Sequence, residues 1–198
     1  PGNLNPLVAG FSVPFAICFY KHYIYAAHVP PTTSLENPMT ESRYELSIRE
    51  LGYQLPEVAA PVAAYVPAVV SGNYVYTSGQ LPFVSGQLPA TGKVSDSGDS
   101  TFVTPQDAKK YAAIAVLNAL AAVKSVIGDL DRVKKVVKVV GFVASDPEFT
   151  GQPGVINGAS ELLGEIFGEA GTHARSAVGV PVLPLDSPVE VEIIVEYV

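Results

Sequence analysis

The chain has 198 residues, 48% apolar and 16% charged, with 17 Gly and 17 Pro; this suits one domain with a core and excludes a disordered tail or a coiled coil. Twelve Lys and Arg stand against nineteen Asp and Glu, and the net charge of -7 disfavours nucleic acid as a partner. Cys18 is the only cysteine, which excludes an intrachain disulfide and a paired-cysteine zinc or redox site and leaves the cytoplasm as the expected location.

Residues 1–38 hold two charges, Lys21 and Glu36, but six of the eighteen aromatics. The most apolar stretch, 7–19, is interrupted by Pro14 and is shorter than the roughly 20 residues that span a bilayer, so no membrane partner is expected. The only methionine, Met39, precedes sequence with ordinary domain signals. Residues 1–38 are therefore read as an atypical extension, either upstream or expression-derived sequence or a genuine segment, and 39–198 as one domain.

From Ser42 onward the elements follow in order. Ser42 and Glu45 have capping-box spacing, Tyr44, Ile48 and Leu51 share a helical face, and Gly52 suits the position past a helix end, which predicts a short helix over 43–51. Segments 66–71 and 74–80 are rich in β-branched and aromatic residues around Gly72-Asn73, a hairpin signal. Residues 81–100 read as a long Gly/Pro loop, with a short strand near 101–103. Thr104, Pro105 and Asp107 predict a helix start, and Ala108, Ala112, Ala115, Ala119 and Ala122 give that helix a smooth buried strip as far as Ile127. Valine-heavy 133–144 reads as a central strand. Val155, Ala159, Leu162 and Ile166 mark a second amphipathic helix ending near Gly168, and strands over 175–180 and 189–197 close the chain. The order implies an α+β sandwich of helices on a mixed sheet. In the last strand Val189, Val191, Ile193, Val195 and Tyr197 alternate with Glu190, Glu192, Ile194 and Glu196, so the acidic side faces either solvent or another subunit.

The dinucleotide GxGxxG, the P-loop, HExxH and GxSxG motifs are absent. After Met39 there is one histidine, His173, and no cysteine, so Cys-His catalysis and an ordinary zinc, copper or haem site are not expected. Arg175 opens an otherwise apolar strand. Its planar fork suits a substrate carboxylate, and an ion pair with Glu190 or Glu192, on what is expected to be the neighbouring strand, is the structural alternative.

Tyr65-Val66-Pro67-Ala68-Val69, Ser71-Gly72-Asn73, Thr77-Ser78-Gly79-Gln80-Leu81-Pro82, the run from His173 to Val180, Leu183-Pro184 and Val189-Glu190-Val191-Glu192 together resemble the RidA/YjgF family of reactive-intermediate deaminases. The resemblance covers about 42–198 and is nearer to a less characterised branch. It implies a chorismate-mutase-like mixed sheet with two long helices on one face, assembled as a homotrimeric barrel with sites between subunits. It also implies hydrolysis of enamine/imine acids such as 2-aminoacrylate and 2-iminobutyrate to 2-keto acids and ammonia, without metal or organic cofactor. By position Arg175 is then the carboxylate receptor, Glu190 the acid that orients the attacking water, and Tyr65, Ser78, Gly79, Ser176 and Ala177 line the pocket. Ala177 stands where many members have cysteine, which leaves a backbone contact possible and a thiol role impossible.

Two other readings remain at this stage. One is a non-catalytic binder of small carboxylates that uses the same arginine. The other is an endoribonuclease or translation inhibitor, for which Arg132, Lys134, Lys135 and Lys138 form a small basic cluster.

Overall fold

The computed structural model describes residues 42–58 and 65–198; the composition break over 1–38, Cys18 and Met39 lie outside the described residues. The described chain forms helix α1 (Arg43–Glu50), strands β1 (Ala68–Ser71) and β2 (Tyr74–Thr77), helix α2 (Pro105–Ile127), strand β3 (Val133–Ala144), helix α3 (Gln152–Phe167), and strands β4 (Ala174–Val180) and β5 (Val189–Tyr197). The five strands lie in the order β1-β2-β5-β3-β4. All neighbours are antiparallel except β3 and β4, which are parallel and joined through α3.

The two long helices cover one face of the sheet. Helix α2 begins at Thr104, whose side chain accepts from the Asp107 N–H, with Pro105 in the first turn, so the chemistry expected from the sequence starts it. The five spaced alanines are all fully or almost fully buried, as are Leu120, Val123 and Ile127. In α3 the stripe Val155, Ala159, Leu162 and Ile166 is buried. Opposite these helices Val75, Val136, Val139, Val143, Val189, Val191, Ile193 and Val195 supply the sheet side of one core. Helix α2 is long and apolar enough to cross a membrane by length and composition, and its burial accounts for that character.

The capping box is corrected. Ser42 occupies the N-cap of α1 but makes no side-chain cap bond; its hydroxyl donates instead to Asp131 Oδ1 at 2.7 Å. Asp131, from the 3-10 turn Leu130–Arg132, accepts from the N–H groups of Arg43 and Tyr44 at 3.2 and 3.4 Å. A carboxylate from elsewhere in the chain thus caps the helix and favours its positive end. Glu45 is left to pair with Lys124 at 2.8 Å. Tyr44 and Ile48 are buried, Tyr44 against the Phe167 ring at 4.4 Å, whereas Leu51, at the helix end, is exposed.

The hairpin forms as expected, with Ser71 opposite Tyr74 and a positive φ at Gly72, the glycine placement of a type II′ turn. Both strands are shorter than the sequence suggests. Pro67 brings no N–H to a ladder, so β1 starts at Ala68. Strand β2 stops at Thr77 because the ladder slips by one residue: Tyr76 faces Ile194, but Gln80 faces Val191. The expected strand at 101–103 reduces to one bridge between Val94 and Val103.

Candidate active site

The slip at the end of β2 is a one-residue bulge over Ser78-Gly79. Such bulges redirect a strand and recur beside active sites. Thr77 stands in for a lost ladder position: its hydroxyl accepts from the Ile193 N–H at 3.0 Å and donates to the Ile193 carbonyl at 3.4 Å. Beyond the bulge Gln80 and Val191 exchange two backbone hydrogen bonds, 2.8 and 3.0 Å. Ser78 ties back to the segment before β1, its N–H to the Pro67 carbonyl at 2.9 Å and its hydroxyl to the Val66 carbonyl at 2.8 Å. Tyr65, the next residue back, is 55% exposed.

This construction brings Gly79 against Glu190. A Cβ at Gly79 would overlap Glu190 Oε1 and lie 2.6 Å from Cδ, so only glycine leaves the carboxylate where it is. Glu190 is half-buried on the face of β5 opposite the helices, with Phe142 beside it on β3. Burial pushes its carboxyl above the ordinary value, and the charge of Glu192 adds to the rise. A carboxylate so placed is a better proton acceptor than a solvated one.

Arg175 stands elsewhere. Its register partner Val139 places it on the helix side of β4, the edge strand. There its Nη1 donates to Asn157 Oδ1 at 2.8 Å and to Ser160 Oγ at 3.1 Å, both on α3. Neither expected ion pair forms, and among the described residues no carboxylate bridges Arg175. Strand β3 lies between Arg175 and Glu190, so the expected adjacency of their strands is corrected. Their positions differ by about 10 Å along the strands and about 10 Å across them, on opposite faces.

Alternation also splits the residues that follow Arg175. Ser176 faces the open side, where it accepts from Lys138 Nζ at 3.0 Å; Ala177 packs against the core, leaving its backbone alone to meet a ligand. One chain therefore carries two groups: Tyr65, Ser78, Gly79 and Glu190 at the β2–β5 bulge, and Arg175 with its supports at the β4 edge. Asn157, Ser160 and His173 were not foreseen in this role. For Asn157 and Ser160 the sequence signal is a polar pair three residues apart beside the apolar stripe of α3, facing the strand of Arg175.

Of the basic cluster, Arg132 donates to the Val198 and Ile127 carbonyls and stacks on Tyr197, Lys134 pairs with Glu196, and Lys138 holds Ser176. Among the described residues no three His, Cys, Asp or Glu side chains gather as metal ligands would. A cavity of about 390 Å³ opens between α1, residues 55–58 and the end of α2, beside Glu45, Leu55, Glu57 and Lys124. It contains none of the expected site residues.

Helices on one face of a mixed sheet, with an arginine on the edge strand and a glutamate beside a glycine bulge, define a class that the comparisons identify. Residues 45–197 match the family model described as "YjgF/chorismate mutase-like, putative endoribonuclease", and the chain belongs to this family, whose chorismate-mutase-like α+β fold it shares. It is 41% identical over 159 residues to Protein TCP17 of Trypanosoma cruzi, covering 80% of this chain and 96% of the relative. The crystal structure of Atu1372 from Agrobacterium tumefaciens, a protein of unknown function, is 43% identical with a TM-score of 0.72, over 79% of this chain and 93% of that one. Protein MMF1, mitochondrial, of Saccharomyces cerevisiae is 32% identical over 141 residues, 70% of this chain and 79% of the relative.

Proposed function

We propose that the chain hydrolyses reactive enamine/imine acids of the 2-aminoacrylate or 2-iminobutyrate type to 2-keto acids and ammonia, in a homotrimer that completes each site between subunits. The observation that carries this reading is Arg175: a half-buried guanidinium with no carboxylate partner among the described residues, held by one corner. Its remaining donors suit the carboxylate of an amino-acid-derived ligand. Glu190 supplies the second function. Once the enamine has tautomerised, water adds to the C=N carbon. Glu190 takes a proton from that water and passes it to nitrogen, and the carbinolamine then collapses to the ketone as ammonia leaves. The substrate is already reactive, so positioning and one proton relay suffice.

Because Arg175 and Glu190 lie apart on opposite faces, a joint site requires a second copy. The open sheet face supports this, since Val69, Tyr74, Tyr76 and Val178 are 40 to 49% exposed there, a patch suited to cover by another chain. The engaged basic residues and the net charge of -7 weigh against a nuclease. The test is keto-acid formation from freshly generated 2-iminobutyrate, with the spontaneous rate subtracted, alongside light scattering. Catalysis by a particle of three chains is expected. A monodisperse monomer, or no rate above buffer, would sink the reading.

A further inference from the structure

The partners of Arg175 form a chain that runs back to the strand start. His173 Nδ1 lies 2.6 Å from the Gly171 carbonyl oxygen, and His173 Nε2 lies 3.0 Å from Ser160 Oγ. A carbonyl only accepts, so Nδ1 carries a proton, and in the neutral ring Nε2 is the acceptor. The Ser160 hydroxyl then donates to Nε2 and turns its lone pairs toward Arg175, from which it accepts at 3.1 Å.

The second Nη1 hydrogen goes to Asn157 Oδ1 at 2.8 Å. Both protons of Nη1 are thereby used by neutral acceptors, which leaves the charge uncompensated. Among the described residues the N–H of Nε and the two of Nη2 remain without a partner, and the Nε–Nη2 edge is one of the two geometries by which a guanidinium takes a carboxylate through parallel bonds.

We propose that Ser160 and His173 are positioning residues for Arg175, fixing its Nη1 corner so that the Nε–Nη2 edge stands ready for a ligand carboxylate. A long arginine side chain loses much rotamer freedom on binding, and holding it beforehand removes part of that cost from the binding step. His173 acts at one remove, by orienting the Ser160 hydroxyl. This proposal rests on the carboxylate-binding reading of Arg175 and adds what prepares that residue.

The test titrates full-length protein with 2-ketobutyrate, the stable keto acid, and in parallel with 2-oxobutyramide, which lacks the carboxylate. Ser160→Ala should weaken 2-ketobutyrate binding about tenfold, the scale of one hydrogen bond to a charged group. Ser160→Thr, which keeps the hydroxyl, should restore it to within about threefold, and His173→Phe should weaken it by less than Ser160→Ala. Amide binding should stay level in all three. With 2-iminobutyrate, Ser160→Ala should raise KM and leave kcat within about twofold.

Arg175→Lys separates the two levels of argument. If it weakens 2-ketobutyrate binding while Ser160→Ala and His173→Phe bind as the parent does, the positioning proposal alone falls. If Arg175→Lys is also without effect, or the parent binds no 2-ketobutyrate, the carboxylate reading falls and takes the proposal with it. A loss in Ser160→Ala that threonine does not rescue, or that affects the amide equally, is a structural defect and overturns the positioning role.

Discussion

The two halves of the candidate site are built by different means. Around Glu190 the placement is steric: a bulge drives Gly79 against the carboxylate, two backbone bonds between Gln80 and Val191 lock it there, and half-burial leaves the charged form disfavoured. Around Arg175 placement is by hydrogen bonds, with Asn157 and Ser160 holding one corner of a guanidinium on an edge strand. A proton acceptor gains basicity from losing water, whereas a carboxylate receptor must keep donors free. Each half has the surroundings that its proposed chemistry needs.

The sharpest way to break the comparison is Glu190→Gln. The amide keeps the shape and loses the proton acceptor, so turnover of 2-iminobutyrate should fall by about a hundredfold or more while KM stays near the parent value. Arg175→Lys should instead move KM and turnover together. Steady-state kinetics on both variants decides it; an equal KM rise in both would mean that the halves do not divide the work.

Next in size comes Gly79→Ala, which acts on the position of the Glu190 carboxylate. The new Cβ would displace the end of the Glu190 side chain. A misplacement of about an ångström costs up to a hundredfold in related contexts, and a loss of about tenfold in turnover is expected because a flexible carboxylate can partly recover. Combining it with Glu190→Gln should add little, since both act through one group. A full further tenfold loss in the double variant would place Gly79 in some other role.

The two halves also differed in how far the sequence revealed them. Strand β3 and strand β5 coincide with the expected 133–144 and 189–197, and the alanine strip of α2 lies where its spacing put it, because local periodicity carries that information. The family resemblance singles out Arg175 and Glu190 as candidates, but it does not give their relative geometry. Strand order is a long-range property, and nothing local indicates that β3 separates them. The bulge at Ser78-Gly79 was hidden because it is a mismatch between two distant segments. For α1 the capping box had the right spacing but lost to Asp131, eighty-nine residues from Ser42, a competitor that no local window contains.

A smaller effect follows from the raised carboxyl of Glu190. Its folded-state value lies above that of the unfolded chain, so the folded protein holds the proton more tightly. That contribution to stability is full below the unfolded value, about 4.3, and is lost as pH rises through the folded one. Glu190→Gln should therefore flatten the decline in melting temperature across the weakly acidic range. In kinetics, the acid limb of the parent pH–rate profile should lie above the ordinary carboxylate range, because the ionised form is the acceptor. A parent limb at or below that range would remove the base role from Glu190.

Asp131 should have the least effect on catalysis, and it sharpens the comparison by its direction. Desolvation pushes its carboxyl up, but the hydrogen bonds from Ser42, the Arg43 N–H and the Tyr44 N–H, with the nearby Arg43 charge, outweigh it and hold the group below its ordinary value. The sign is opposite to that of Glu190: stability from Asp131 is present above the unfolded value, about 3.9, and is lost as pH falls through the lowered one. Replacing it by Ala removes the cap of α1 and should cost about 1 to 2 kcal/mol, the upper range for an N-cap residue. The cost should shrink as the parent's own carboxylate becomes protonated in acid. Helix α1 carries none of the proposed site residues, so keto-acid formation per folded molecule should be unchanged. Denaturant unfolding at pH 7 and pH 3, with turnover measured at pH 7, tests both parts. A destabilisation that persists undiminished at pH 3 would show that the Asp131 charge does not hold the helix, and a matching fall in turnover would tie α1 to the site through α3, on which Tyr44 packs.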